Sequence, residues 1–163
     1  MLAIDPTTAG IFALLAVPVS LYVCWSDMAR MKIPNIAVLV LGAGFLVLAL
    51  FVLPLSAWPW RVLAMALVLL AGFLLSAGGL LGAGDAKFAA AGVGFIDPMD
   101  YGRFMMLLAV VTLAAFLAHR GAAKSGLRRL APDWESWQRE TEFPFGLGLG
   151  GGLIAYLLIG ALS

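Results

Sequence analysis

Long apolar runs separated by short polar punctuation make up nearly all of this chain, and the spacing of the breaks predicts helices rather than strands. Residues 7–25, 35–53, 60–80, 101–118 and 144–162 are each close to the length that crosses a bilayer at 1.5 Å per residue. A further apolar stretch, residues 86–96, is only about half that length and contains Gly92 and Gly94. The pattern therefore predicts about six membrane helices, the fourth short.

The breaks carry their own signals. Pro18 falls inside the first run and is expected to kink it. Pro34 and Asn35 read as the start of the second helix. Trp58 and Trp60 mark a turn with the tryptophans of an interfacial belt. The short fourth helix is entered through a glycine turn, Leu81-Gly82-Ala83-Gly84-Asp85-Ala86-Lys87. Broken helices are tolerated at membrane depth only where protein or a water-filled cavity satisfies the freed backbone, so this turn is expected to line a site. Residues 120–143 form the longest polar stretch, and within it 124–130 and 133–140 read as interfacial helix, with arginines for anionic lipid and tryptophans at headgroup level. The glycines from Gly146 to Gly152 suit close helix packing.

Composition sharpens the class. With 163 residues, 63% of them hydrophobic, 12% charged and a mean hydropathy of +1.04, the chain is an all-α polytopic membrane protein, read as a single transmembrane domain over residues 1–163. A soluble globule is excluded, and continuous apolar runs point to the cytoplasmic (inner) membrane rather than an outer-membrane barrel. Nothing suggests a nucleic-acid partner. The N-terminus carries Asp5 and no Lys or Arg before the first run, so that run is expected to stay as a helix. The lone Cys24 allows no internal disulfide and no four-cysteine zinc site.

The net charge of +1 matters less than where the charges lie. Arg30, Lys32, Lys87, Arg120, Lys124, Arg128, Arg129 and Arg139 fall on one side of the predicted topology, and only Arg61 and Arg103 on the other. The positive-inside rule then puts the glycine turn and the residue 120–143 loop in the cytoplasm and the N-terminus outside. The same out-and-back topology returns Asp27 and Asp85 to one membrane face.

Two carboxylates sharing a low-dielectric site cannot both ionise cheaply, so they hold one proton between them. The ionised member can deprotonate water while the other hydrogen-bonds a carbonyl, a peptide-cleaving chemistry with no metal and no cofactor. Side-chain-free residues at Gly82 and Gly84 would let an extended substrate lie close. Other nucleophile systems are poorly supplied: His119 is the only histidine, no Gly-x-Ser-x-Gly elbow occurs, and Cys24 has no evident activating neighbour.

Gly82-Ala83-Gly84-Asp85-Ala86-Lys87-Phe88 resembles the GxGD motif of the type IV prepilin peptidases. Asp27-Met28-Ala29-Arg30-Met31-Lys32-Ile33-Pro34-Asn35 is similar to that family's other aspartate motif, and Phe143-Pro144-Phe145-Gly146 to the Pro-Phe-Gly that opens its last helix. The resemblance implies that Asp27 and Asp85 are the catalytic pair and that Gly82 and Gly84 shape the turn; Arg30 and Lys87, within the same two motifs, are candidates for the substrate's approach. It implies hydrolysis of the peptide bond that joins the short basic leader of a prepilin to its hydrophobic helix, at the cytoplasmic surface. Larger members carry an N-terminal region with paired Cys-x-x-Cys motifs and methylate the new terminus. This chain resembles the short, peptidase-only branch associated with Flp-type pili, with no methyltransferase or zinc region. Gly146-Leu147-Gly148 stands where many relatives have Gly-Pro.

Plainer readings compete. Asp85 could serve as a helix N-cap, and Asp27 as a juxtamembrane partner of Arg30 or Lys32. Arg30, Lys32 and Lys87 are also ordinary positive-inside anchors, and Lys87 could instead meet lipid headgroups. Glu135, Glu140 and Glu142 could attract a basic leader or simply be solvated, and His119 reads as interfacial. At the level of function, the rivals are a presenilin-like intramembrane aspartyl protease and a non-enzymatic ion- or proton-coupled membrane subunit.

Overall fold

The computed structural model describes residues 1–139 and 141–163. Its helices are α1 (Pro6–Arg30), α2 (Asn35–Val52), α3 (Trp58–Ala77), α4 (Ala83–Val93), α5 (Tyr101–Ala123) and α6 (Phe145–Leu162). All but α4 are long and apolar enough to cross a membrane.

Local signals set most of the ends. Asp5 caps α1 by accepting from the Thr8 amide at 2.9 Å, with Pro6 as the first helical residue. α1 runs through Pro18 and continues past residue 25 to Arg30. It stops at Met31, whose φ of 50° is left-handed and whose N–H returns to the Asp27 carbonyl at 2.8 Å. Asp27 is thus in the last turn of a helix and not in the loop after it. α3 ends three residues before the predicted boundary because Gly79, at φ +73°, closes it. The Leu80 N–H then reaches the Leu75 carbonyl and the Gly79 N–H that of Ser76, a Schellman closure.

Apolar area is a weak glue between helices in lipid, so close backbone approach has to do more. α6 lies between α1 and α5, and α4 lies against α2, α3 and α6. A Cβ on Gly150 of α6 would lie 2.6 Å from Cys24 Sγ and 3.0 Å from the Ser20 carbonyl of α1. One on Gly72 of α3 would lie 2.7 Å from Ala86 Cβ of α4. Phe12, Phe45 and Phe95 fill the centre with ring separations of 5.1 to 5.8 Å.

The two aspartates share one end of the bundle, and a buried polar network closes the other. Arg61, in α3, is 3% exposed, and its guanidinium donates to the Gly94 and Ile96 carbonyls at 2.9 and 2.7 Å. It also pairs with Asp97 at 3.0 Å. Asp100 is fully buried and accepts from the Ala3 and Ile4 amides, Tyr156 Oη and Arg103. Arg61 and Arg103 are therefore structural partners rather than free charges. Arg61 satisfies the carbonyls released where the short α4 ends, as a broken membrane helix requires.

The polar stretch between α5 and α6 departs from the predicted interfacial helix. Among the described residues it holds 3-10 turns, Gly126–Leu130 and Glu135–Trp137. Trp137 turns inward, donates to the Ala131 carbonyl at 2.8 Å and stacks on His119 with ring centres 4.7 Å apart. His119 is consequently buried, and neither ring nitrogen has a hydrogen-bond partner among the described residues. A buried indole needs a partner for its N–H, and the irregular backbone supplies one.

Candidate active site

Asp27 reaches the site from the last turn of α1. Its Oδ2 accepts the Gly146 amide at 2.7 Å, at the N-terminus of α6, where free N–H groups favour negative charge. A Cβ on Gly146 would lie 2.9 Å from that oxygen, 3.1 Å from Asp27 Cβ and 3.1 Å from Ile33 Cδ1. Glycine at this position lets the α6 terminus touch the carboxylate.

Asp85 enters from the other direction, as the third residue of α4. Its carboxyl group lies over Gly82, where an added Cβ would come within 2.5 Å of Oδ2. Gly84 faces Ile33, whose Cβ would be 3.1 Å from an added one. Gly82 has a φ of −65° and lies in ordinary extended space, so its importance is room and not backbone freedom. The space the two glycines leave is occupied by Asp85's own carboxylate and by Ile33.

Both aspartates line the same two clefts, each of about 500 Å³. One runs along Ser26, Arg30, Lys32, Asn35 and the Gly82–Asp85 turn. The other is bounded by Met31, Leu80, Leu81, Glu142, Phe143 and Phe145. Burial, and secondarily the negative charge of Asp27, push the Asp85 carboxyl up to about 6, partly offset by the Gly82 backbone amide. Two carboxyl groups thus face the same clefts, an arrangement capable of moving a proton at a carbonyl.

The remaining predicted residues divide. Arg30 lines the first cleft, with its guanidinium 5.1 Å from the centre of the Trp25 ring. Lys87 lines neither aspartate cleft and donates to Asn35 Oδ1 at 3.1 Å, tying α4 to the start of α2. Glu142 reaches the second cleft but is paired with Arg139 at 3.0 Å, and Glu135 lies 3.6 Å from the same arginine. Glu140 lies outside the described residues. His119 lines neither cleft, and Cys24, one turn before Asp27, is buried with Sγ 3.6 Å from the Gly146 carbonyl.

Two contributors are not evident from side-chain chemistry. Ile33 is wedged between Gly84 and Gly146, so one aliphatic side chain spaces the two elements that carry and contact the aspartates. Gly146 supplies the amide to Asp27. Their positions in Ile33-Pro34-Asn35 and Pro144-Phe145-Gly146 were the only available signal. Ser26 completes the corner, its hydroxyl donating to the Lys32 carbonyl at 2.9 Å and folding the α1–α2 link back on itself.

No curated protein and no solved structure matches the chain. The sequence profile of the type IV leader peptidase family matches residues 14–118, a span that includes both Asp27 and Asp85 and most of the helices that hold them. The chain, a multi-pass membrane peptidase, belongs to the type IV leader peptidase family.

Proposed function

We propose that the chain is an aspartyl endopeptidase of the cytoplasmic membrane that removes the basic leader from pilin-like precursors at the cytoplasmic face. The observation that carries this reading is that Asp27 and Asp85, from separate helices, line the same clefts. Asp27, whose Oδ2 accepts the Gly146 N–H at 2.7 Å, is the proposed base. Asp85, half-buried at the start of α4 with its carboxyl raised to about 6, is the proposed acid.

In the proposed reaction Asp27 takes a proton from water, and the water oxygen attacks the scissile carbonyl carbon as Asp85 gives its proton to the carbonyl oxygen. The tetrahedral species collapses as the Asp27 proton passes to the leaving nitrogen, the C–N bond breaks, and Asp85 recovers its proton from the diol. The cytoplasmic placement follows from the Lys and Arg count, with Arg61 and Arg103 already engaged by Asp97 and Asp100 at the other end. The short-branch resemblance makes Flp-type precursors the first substrates to try.

The test is co-expression with such a precursor. The native chain shortens it at the end of the leader, and Asp27→Asn and Asp85→Asn do not, although both insert normally. Cleavage by either variant would refute the dyad, and a cut within the apolar helix would favour the presenilin-like reading.

A further inference from the structure

The face of α4 that begins with Asp85 continues into the bundle as an apolar stripe, buried at Phe88 and Gly92 and half-buried at Ala89 and Val93. Phe88, Ala89, Gly92 and Val93 follow it at helical spacing, and all line one cavity of about 100 Å³. α6 contributes a parallel stripe, Phe145, Leu149 and Leu153, at four-residue intervals. Val68 of α3 forms one wall, and Met105 and Leu108 of α5 the other.

These surfaces are continuous with the aspartates. Phe143 and Phe145 line both the second aspartate cleft and a groove along α5. Met105 and Leu108 line both that groove and the cavity. From Phe145 to Leu153 the path descends about 12 Å at 1.5 Å per residue. Its walls are the least enclosed spans, with 11% of α3 and 6% of α5 buried, so the groove opens sideways toward lipid.

From this continuity we infer that the groove between α3 and α5, floored by α4 and α6, docks the apolar helix of the substrate and delivers its N-terminal end to Asp27 and Asp85. The inference rests on the proposed function and adds the route by which the substrate arrives. A lipid tail would match the apolar walls but not the polar cleft at their head. A chain whose charged leader joins an apolar helix matches both. The groove between α1 and α2, lined by Leu14, Leu15, Val40 and Gly44, is equally apolar but shares no residue with either aspartate cleft, and serves as the internal control.

A photo-crosslinking residue is placed at Leu108 or at Leu14 in an Asp85→Asn background, in anionic nanodiscs with an intact pilin precursor. Leu108 is expected to capture the apolar half of the precursor and Leu14 not to. Capture of lipid alone at Leu108, or equal capture at both positions, overturns the docking route. In the otherwise native enzyme, Gly92→Leu should raise KM for the precursor about tenfold by filling the groove, and an unchanged KM also counts against it. If Gly92→Leu does not accumulate, the crosslinking map decides alone. Cleavage by Asp27→Asn or Asp85→Asn would remove the dyad reading while the map still reported where the helix docks.

Discussion

Gly146→Ala tests the site at its tightest point. The new Cβ would need to occupy space 2.9 Å from Asp27 Oδ2, 3.1 Å from Asp27 Cβ and 3.1 Å from Ile33 Cδ1, so α6 or the end of α1 must move. The movement stretches the 2.7 Å bond from the Gly146 amide. A hydrogen bond to a charged group contributes roughly 1.5–3 kcal/mol, and losing most of it from the reacting state slows cleavage by about 10- to 100-fold. The assay is the initial rate of precursor shortening by purified enzyme, beside Gly10→Ala, where an added Cβ meets nothing within 4 Å. The fall belongs in kcat, because the contact is to the proposed base. Gly146→Ala turning over within about threefold of the native enzyme would falsify the claim that this amide holds Asp27 in its working state.

Three further outcomes follow from the same geometry. The Asp85 carboxyl, raised from 3.8 to about 6, binds its proton more tightly in the folded protein, so its contribution to stability is complete below about pH 4 and is lost as pH rises through 6. Asp85→Asn should therefore raise the unfolding midpoint in detergent at pH 7, by a ceiling near 3 kcal/mol and about 1 kcal/mol after screening by the open cleft, with no gain at pH 4. Equal gains at both pH values would contradict the linkage. Arg61→Met strands the Gly94 and Ile96 carbonyls and unpairs Asp97, and should cost about 3–5 kcal/mol in reversible unfolding; an unchanged midpoint would show that α4 does not need this cap. Ile33→Ala removes the spacer between Gly84 and Gly146 and should lower stability by about 2 kcal/mol and cleavage with it, whereas Ile33→Leu should retain most of both.

Helix number, the short α4 and the turn that opens it were legible in the chain because each depends on local properties: apolar run length, proline and glycine punctuation, and the distribution of Lys and Arg. Residues 124–130 and 133–139 differ from the expected helix because composition alone does not distinguish a continuous helix from short 3-10 turns folded over an inward-facing tryptophan. Arg61 illustrates the same limit. As a sequence feature it is one of two basic residues on the sparse side, yet it is nearly inaccessible and caps a helix more than thirty residues away.

That this is a helical membrane protein, and that Asp27 and Asp85 stand out within it, can be read from the chain alone, since bilayer length and the cost of a buried carboxylate are legible one residue at a time. What surrounds them depends on how the helices pack. The roles of Gly82 and Gly84 depend on what fills the space beside them, and the Gly146 amide reaches Asp27 only because α1 and α6 pack closely enough for the contact. Such close approaches are properties of two backbones together, and no single stretch of chain encodes them.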